Sequence, residues 1–278
     1  ADLNAPLTRD RGIRARLVAS ATPDDGNFID NTESSEINVL GSVEADTFGG
    51  DGTLRFTYIH QDFDGVSYRG IPTFEDGEVP DIDPETNIGG GDRNGAFNKF
   101  EGNTAQLEYN HDFLERLSLT ARAGYNDNEL DIADVYAFSY TGIAPNGDVN
   151  IYASRRDRDK ESLAGELFVT GRIGSLDRST DITLGVDYRD QEEQEAFDFA
   201  SGGTDNVFNP QNDFAVPGSG FTPFVDDTLE IEQTGVFAQV VTRPLERLTI
   251  TAGARIDMND VRNEDRISGL VSGGDIDD

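Results

Sequence analysis

Few residues in this chain could perform covalent chemistry. Its 278 residues include two histidines, His60 and His111, and no cysteine, so thiolate nucleophiles, thiolate metal centres and disulfides are excluded. No serine stands in a motif that supplies an adjacent base. Both histidines fall in segments that alternate like strands and read as interface or lumen residues rather than ligands. The passage DIDPETNIGGGDRNG (81–95) places carboxylates at alternate positions, as a hard cation favours, but it meets neither the EF-hand spacing nor a glycine-rich nonapeptide repeat. The chemistry to expect is binding, not catalysis, with no catalytic residue, resident metal or cofactor assigned.

Composition narrows what can be bound. Asp and Glu total 54 against 22 Lys and Arg, a formal charge of -32. Such a surface repels a phosphate backbone, so nucleic acid is not an expected partner. Hydrophobic residues make up 36%, glycines number 30 and mean hydropathy is -0.51. No 18-residue apolar run is present, which excludes a helical membrane protein. The opening ADLNAPLTRDRG lacks the tripartite pattern of a secretory signal, so the chain reads as mature or as cut from something longer.

The elements that must position a binding site are strands. From Leu248, the residues Leu248, Ile250, Ala252, Ala254 and Ile256 alternate with Thr249, Thr251, Gly253, Arg255 and Asp257, giving one apolar face. Thr234 to Val240 precede it in the same alternation, and Pro244 ends that run, so Gln233–Asp257 reads as an antiparallel hairpin. Leu54, Phe56 and Tyr58 share a face, as do Leu107 and Tyr109, Leu117, Leu119 and Ala121, Leu163, Leu167 and Val169, and Leu184 and Val186. About nine strands of some ten residues are legible, and ten residues is the length of a tilted strand crossing a bilayer. Short turns alternate with three long excursions, Asp62–Gly102, Asp127–Lys160, which is expected to have extended ends such as Val135–Tyr140 and Val149–Ser154, and Gln191–Asp227, the last with eight acids and no Lys or Arg. The closing DRISGLVSGGDIDD is expected inside a further loop.

This pattern predicts an all-β fold, an antiparallel transmembrane β-barrel of the outer-membrane type, incomplete at nine to ten strands and bearing long extracellular loops. Leu117, Leu119, Ala121, Ile250, Ala252 and Ala254 are expected on the lipid side, and Thr120, Arg122, Thr251 and Arg255 on the lumen side. Two alternatives share much of the pattern: a passive porin, and a soluble secreted β-rich binding protein with one wet sheet face.

TGVFAQ, a basic turn and LTITAGARID resemble a strand pair of TonB-dependent siderophore receptors. GIRARLVASATPDDGNFID, INVLGSVEAD, TLRFTYIHQDFDGVSYRGIPTFEDG and FEGNTAQLEYNHDFLERLSLTARAGYND resemble, in order, further strands and loops of that barrel. The resemblance implies that residues 1–278 are part of the barrel domain of a receptor in the Gram-negative outer membrane, without the plug domain that the family carries. It implies a ferric siderophore as transported ligand, outer-membrane lipid around the barrel, and the TonB system acting through the missing plug. Ligand contact is then expected in DGVSYRGIPTF, with Tyr68, Arg69 and Phe74 as binding candidates. Aromatic faces pack against such a chelate, and a guanidinium bonds its carboxylate or catecholate oxygens.

Overall fold

The computed structural model describes residues 1–277 apart from 11, 26–28, 30, 140, 141, 176, 177 and 246. Eleven strands form one sheet in strict sequence order, each antiparallel to the next. They are β1 (Asp2–Pro6), β2 (Ile13–Asp24), β3 (Ser34–Thr47), β4 (Gly52–Gly65), β5 (Phe97–Leu114), β6 (Leu117–Ala137), β7 (Asp148–Ser175), β8 (Arg178–Asn206), β9 (Thr222–Leu245), β10 (Leu248–Asp265) and β11 (Leu270–Asp277). β1 and β11 are not paired with each other, so the sheet is open. Among the described residues no helix is long and apolar enough to cross a membrane.

Residues paired across an antiparallel ladder share a face, and the register makes two unbroken rows of opposite character. Leu54, Tyr109, Ala121, Leu167, Val186, Val236 and Ile256 form one row across seven strands. The adjacent row on the other face runs Arg14, Glu44, Arg55, Glu108, Arg122, Glu166, Asp187, Gly235 and Asp257. The faces therefore separate as the alternation predicted, with Ala121, Ala252 and Ile250 on the apolar side and Arg122, Arg255 and Thr251 on the polar side.

Ion pairs knit the polar row. Arg14 reaches Glu44 at 2.7 Å, Arg55 joins the same carboxylate, and Arg122 lies 3.2 Å from Glu108 and 3.4 Å from Glu166. Arg255 on β10 reaches across β9 to Asp187 on β8 at 2.6 Å. It can do so because residue 235 between them is glycine, where a Cβ would collide with the Arg255 guanidinium. The apolar row has no such cover: Leu167, Val186 and Val236 are all about half exposed. An apolar belt of this size without a covering layer is a surface for something other than water.

The structure corrects the expected strand count and loop boundaries. With β1 as the tenth strand, β11 raises the count to eleven, and residues 266–269 form a tight turn before β11, not the interior of a loop. Within Asp127–Lys160 the extended ends go further than expected, because β6 runs on to Ala137 and β7 begins at Asp148, taking in Val149–Ser154. Gln191–Asp227 shrinks likewise, β8 reaching Asn206 and β9 starting at Thr222. β7 and β8 run for 28 and 29 residues, far beyond the ~10 that cross a bilayer. Their outer halves carry charges on both faces, which hides the strand period that an apolar face would reveal.

The buried hydrophobic cluster lies at the long-loop end, where Ile88, Val135, Ile143, Val149, Ile151, Ala153 and Val207 come together with Phe74, Ile82 and Phe214. Loop 66–96 straddles the β6–β7 tip to make it. Arg69 engages Asp134 on one face, Phe74 bridges Ile143 at the tip, and Gly89 abuts the Val135 carbonyl, on the strand positions that point the other way.

Candidate ligand-binding face

Beyond the apolar belt the polarity of the two faces changes. On the face that carries the Arg14–Asp257 row, the ladder continues toward the long loops as Phe63, Phe100, Leu130, Arg158 and Glu195, and beside it as Asn98, Ile132, Arg156 and Phe197. Gln61, Gly102, Asn128, Lys160 and Glu193 form the next row toward the belt. Rings, aliphatic side chains and a cationic stripe on β7 thus share one surface. The glycines have a role here, since the Phe63 and Phe100 rings lie over the Gly65 and Gly102 positions and a Cβ at either would meet the ring.

Three cations face two carboxylates in the stripe. Arg156 is 2.7 Å from Glu195, Arg158 is 2.5 Å from Glu193, and Lys160 is 3.6 Å from Glu193. The Nε–H groups of Arg156 and Arg158 are shielded from solvent and without a hydrogen-bond partner, so it is the outer nitrogens of each guanidinium that face the surface. Both guanidinium side chains are about one-third exposed, at 39% and 34%. The Arg158–Glu195 row runs on to Asp227 and Asp265, so the cations form a local stripe within a mixed-charge surface; their partly exposed guanidinium groups, flanked by aromatic rings, can take a planar anion bearing oxygen acceptors.

Of the three residues expected from sequence, Arg69 belongs to this face. Its Nε donates to Asp134 Oδ2 at 2.6 Å, and its guanidinium lies 4.5 Å from the Tyr136 ring centroid. Asp134 is on the same strand face as Ile132, whose ladder partner is Arg156, so Arg69 extends the stripe away from the belt. The Asp134 side chain is only 2% exposed, and such a buried carboxylate requires its cation. Tyr68 is 37% exposed at the start of the loop, and partial burial pushes its phenol above the usual range. Phe74 pairs with Ile143 at the β6–β7 tip, its ring is 6.3 Å from that of Phe208, it packs against the hydrophobic cluster, and it lines a pocket together with Arg69.

Arg156, Arg158 and Lys160 were not among the expected residues. The signal was present in RRDRDK (155–160), where alternation puts Arg156, Arg158 and Lys160 on one face and Arg155, Asp157 and Asp159 on the other. Both histidines lie on the apolar-row side. His60 pairs with Asn103, and His111 sits near the short-turn end among Phe48, Tyr109 and Phe113.

An open antiparallel sheet with an apolar outer belt, an ion-paired inner face, short turns at one end and long loops at the other is a wall of an outer-membrane barrel. The model of the TonB dependent receptor-like beta-barrel family matches residues 41–277, and the chain belongs to that family. Its place is the Gram-negative outer membrane. Among solved structures, the siderophore receptor PiuA from Acinetobacter baumannii superposes with a TM-score of 0.82 at 15% identity, over 100% of this chain and 43% of that one. The open form of the ferric-catecholate import receptor Fiu from E. coli K12 gives 0.79 at 14%, over 100% and 46%. The ferripyoverdine receptor of the Pseudomonas aeruginosa outer membrane, bound to ferripyoverdine, gives 0.78 at 19%, over 100% and 36%. The chain spans less than half the length of each of these receptors. No curated protein matches its sequence.

Proposed function

We propose that the chain is part of the wall of a receptor that imports a ferric siderophore across the outer membrane, with energy delivered through TonB to a plug domain of the intact protein. In this reading the Leu54–Ile256 row faces lipid and the Arg14–Asp257 row lines the lumen. The long loops lie outside the cell, the side on which barrels of this type carry them. The siderophore is cargo, and no bond is made or broken in it. The observation that carries the reading is the cationic stripe Arg156, Arg158 and Lys160 among Phe63, Phe100 and Phe197, on the lumenal face beyond the apolar belt. That is where an anionic, oxygen-rich chelate arriving from outside would first meet the barrel. The adjoining Arg69 and Tyr68 extend the same surface.

The test uses the intact receptor at constant surface expression, with ferric citrate and a ferric tricatecholate as probes. Changing Arg156 and Arg158 together to Ala removes two charge-assisted contacts, each worth about 1.5–3 kcal/mol where the ligand uses it. Affinity for the recognised chelate should therefore fall by more than about 100-fold. Single Ala substitutions at Tyr68 and Arg69 should each weaken binding less. Affinity unchanged in the double variant for whichever chelate binds the wild type would remove the stripe from the site. Rapid, non-saturable passage of small solutes through the wild-type protein would favour a passive porin instead.

A further inference from the structure

Segment 87–95 and loop 207–221 are joined by four hydrogen bonds in which two asparagines do most of the work. Asn94 Nδ2 donates to the Asn212 carbonyl at 2.7 Å, and Asn212 Nδ2 donates to the Asn87 carbonyl at 3.0 Å. The Gly89 amide donates to Asn212 Oδ1 at 2.8 Å, and the Val216 amide to the Asn94 carbonyl at 2.9 Å. Asn94 Nδ2 also holds its own segment through the Gly89 carbonyl at 2.7 Å. The Asp205 carboxylate accepts the amides of Gln211 and Asn212 and so fixes the second loop at its base on β8.

The backbone is shaped for this contact. Gly89, Gly90, Gly91 and Asn212 all have positive φ. A Cβ at Gly89 would strike the Val135 carbonyl, and one at Gly91 the carbonyl of Asn31. Asn94 is 8% exposed and the neighbouring Ile88 is 5% exposed, so these bonds are shielded from water and expensive to leave unmade.

The clasp lies on the opposite side of the β6–β7 hairpin from Arg69. Loop 66–96 passes over the hairpin tip, where Ile143 N donates to the Thr73 carbonyl at 2.9 Å, and it is therefore fastened at both ends like a strap. Arg69 holds one end to Asp134 on the stripe side, and the asparagines hold the other. We propose that Asn94 and Asn212 are positioning residues: by tying the far end of the strap to loop 207–221 they hold Arg69 on the ligand-binding face. The assignment of Arg69 to a ligand site rests on the proposed function, whereas the mechanical coupling does not. Asn212 itself suits the device, because its left-handed backbone is one that asparagine and glycine adopt readily. Asn212→Gly therefore removes the side-chain bonds without straining the turn.

Amide hydrogen exchange on the ligand-free intact receptor separates the two. In Asn94→Ala and in Asn212→Gly, exchange should rise about 10-fold or more in 87–95, in 207–221 and in the distant 66–74 segment together, with the amides of the apolar-belt strands unchanged. Chelate affinity should fall in both variants, as in Arg69→Ala. Faster exchange confined to 87–95 and 207–221, with 66–74 as protected as in the wild type, would overturn the proposal. Exchange rising in all three segments with no change in affinity would keep the coupling and instead count against Arg69 as a ligand contact. If Asn94→Ala fails to fold, Asn212→Gly alone gives the same reading.

Discussion

Arginine placed at Ala252 should damage the barrel, and arginine one residue away at Thr251 should not. On β10 the apolar-face run extends from Leu248 to Met258 and is followed on the same face by Asp260. At about 3.3 Å per residue that run is about 33 Å of chain. Tilted by about 45°, it spans about 23 Å, close to the height of the apolar band of an outer-membrane barrel. Ala252 and Ala254 straddle its middle, each within about 3 Å of the bilayer midplane on this geometry. Across the ladder Ala252 meets Val240, whose other neighbour is Ile182, so no carboxylate on that row can receive a guanidinium. Ala252→Arg should cost about 2–4 kcal/mol. Thr251 lies on the other face opposite Val241, which pairs with Asp181, so an arginine there finds an ion-paired surface, and the cost should stay below about 1 kcal/mol. Reversible urea unfolding of the intact protein in phospholipid bilayers, followed by heat-modifiable gel mobility, measures both. Equal destabilisation by the two substitutions, or a larger effect at Thr251, would refute the assignment of faces.

Two more expectations follow from local geometry. Glycine to alanine in a strand ordinarily gains about 0.5–1 kcal/mol, but Gly235→Ala should lose about 1–2 kcal/mol, because the new Cβ displaces the Arg255 guanidinium from its place beside Asp187; a raised urea midpoint would contradict this. At the β10–β11 turn the Asp265 carboxylate accepts the amides of Ile267 at 2.9 Å and Ser268 at 3.1 Å. The Ser268 hydroxyl, and then these amides, hold it below the usual carboxylate range. A lowered folded-state pKa contributes stability that is present above the unfolded value near 3.9 and is lost as pH falls through the folded value. Exchange of the Ile267 and Ser268 amides, corrected for intrinsic pH dependence, should therefore accelerate below about pH 4, and Asp265→Asn should abolish that step.

How much of this was legible in the sequence depended on whether one face of a strand was apolar. Across the belt, Leu and Val at every second position on β8, β9 and β10 expose the period directly, and the hairpins and their facing followed. Beyond the belt, in β6–β8, Asp127, Glu129, Asp157, Asp159 and Glu192 occupy one face and Lys160, Arg158, Arg156 and Glu193 the other. Alternation between acid and base carries no hydropathy signal, so these strands read as loops and the cationic stripe went with them. Arg69 was recoverable from its type and surroundings. Phe74 was recoverable as a loop aromatic, but its bridge to Ile143 was not, because that bridge joins segments far apart in the chain.

The acidic face just beyond the belt gives the net charge a location. Asp127, Glu161, Glu192 and Glu230 are consecutive ladder partners across β6 to β9, the arrangement that cross-strand pairing disfavours. Arg262 relieves only the last of them, 3.4 Å from Glu230. Glu161 and Glu192 are exposed. In a soluble protein such a row would be a defect. Next to an apolar belt it sets a boundary, because a carboxylate drawn into hydrocarbon would cost more than the repulsion among its neighbours in water. The sheet thus gives up some stability to fix its height in the membrane. Glu161 has an acid on each side, and each like-charged pair costs about 0.2–1 kcal/mol. Glu161→Gln should therefore stabilise the intact protein by about 0.4–2 kcal/mol at low ionic strength, with the gain shrinking as salt screens the row. At the same time, quenching of a fluorophore placed at position 163 by depth-graded brominated lipids should shift, because the barrier against sinking is lower. A loss of stability in Glu161→Gln would mean that the row is not repulsive where it stands, and would sink this account of the charge.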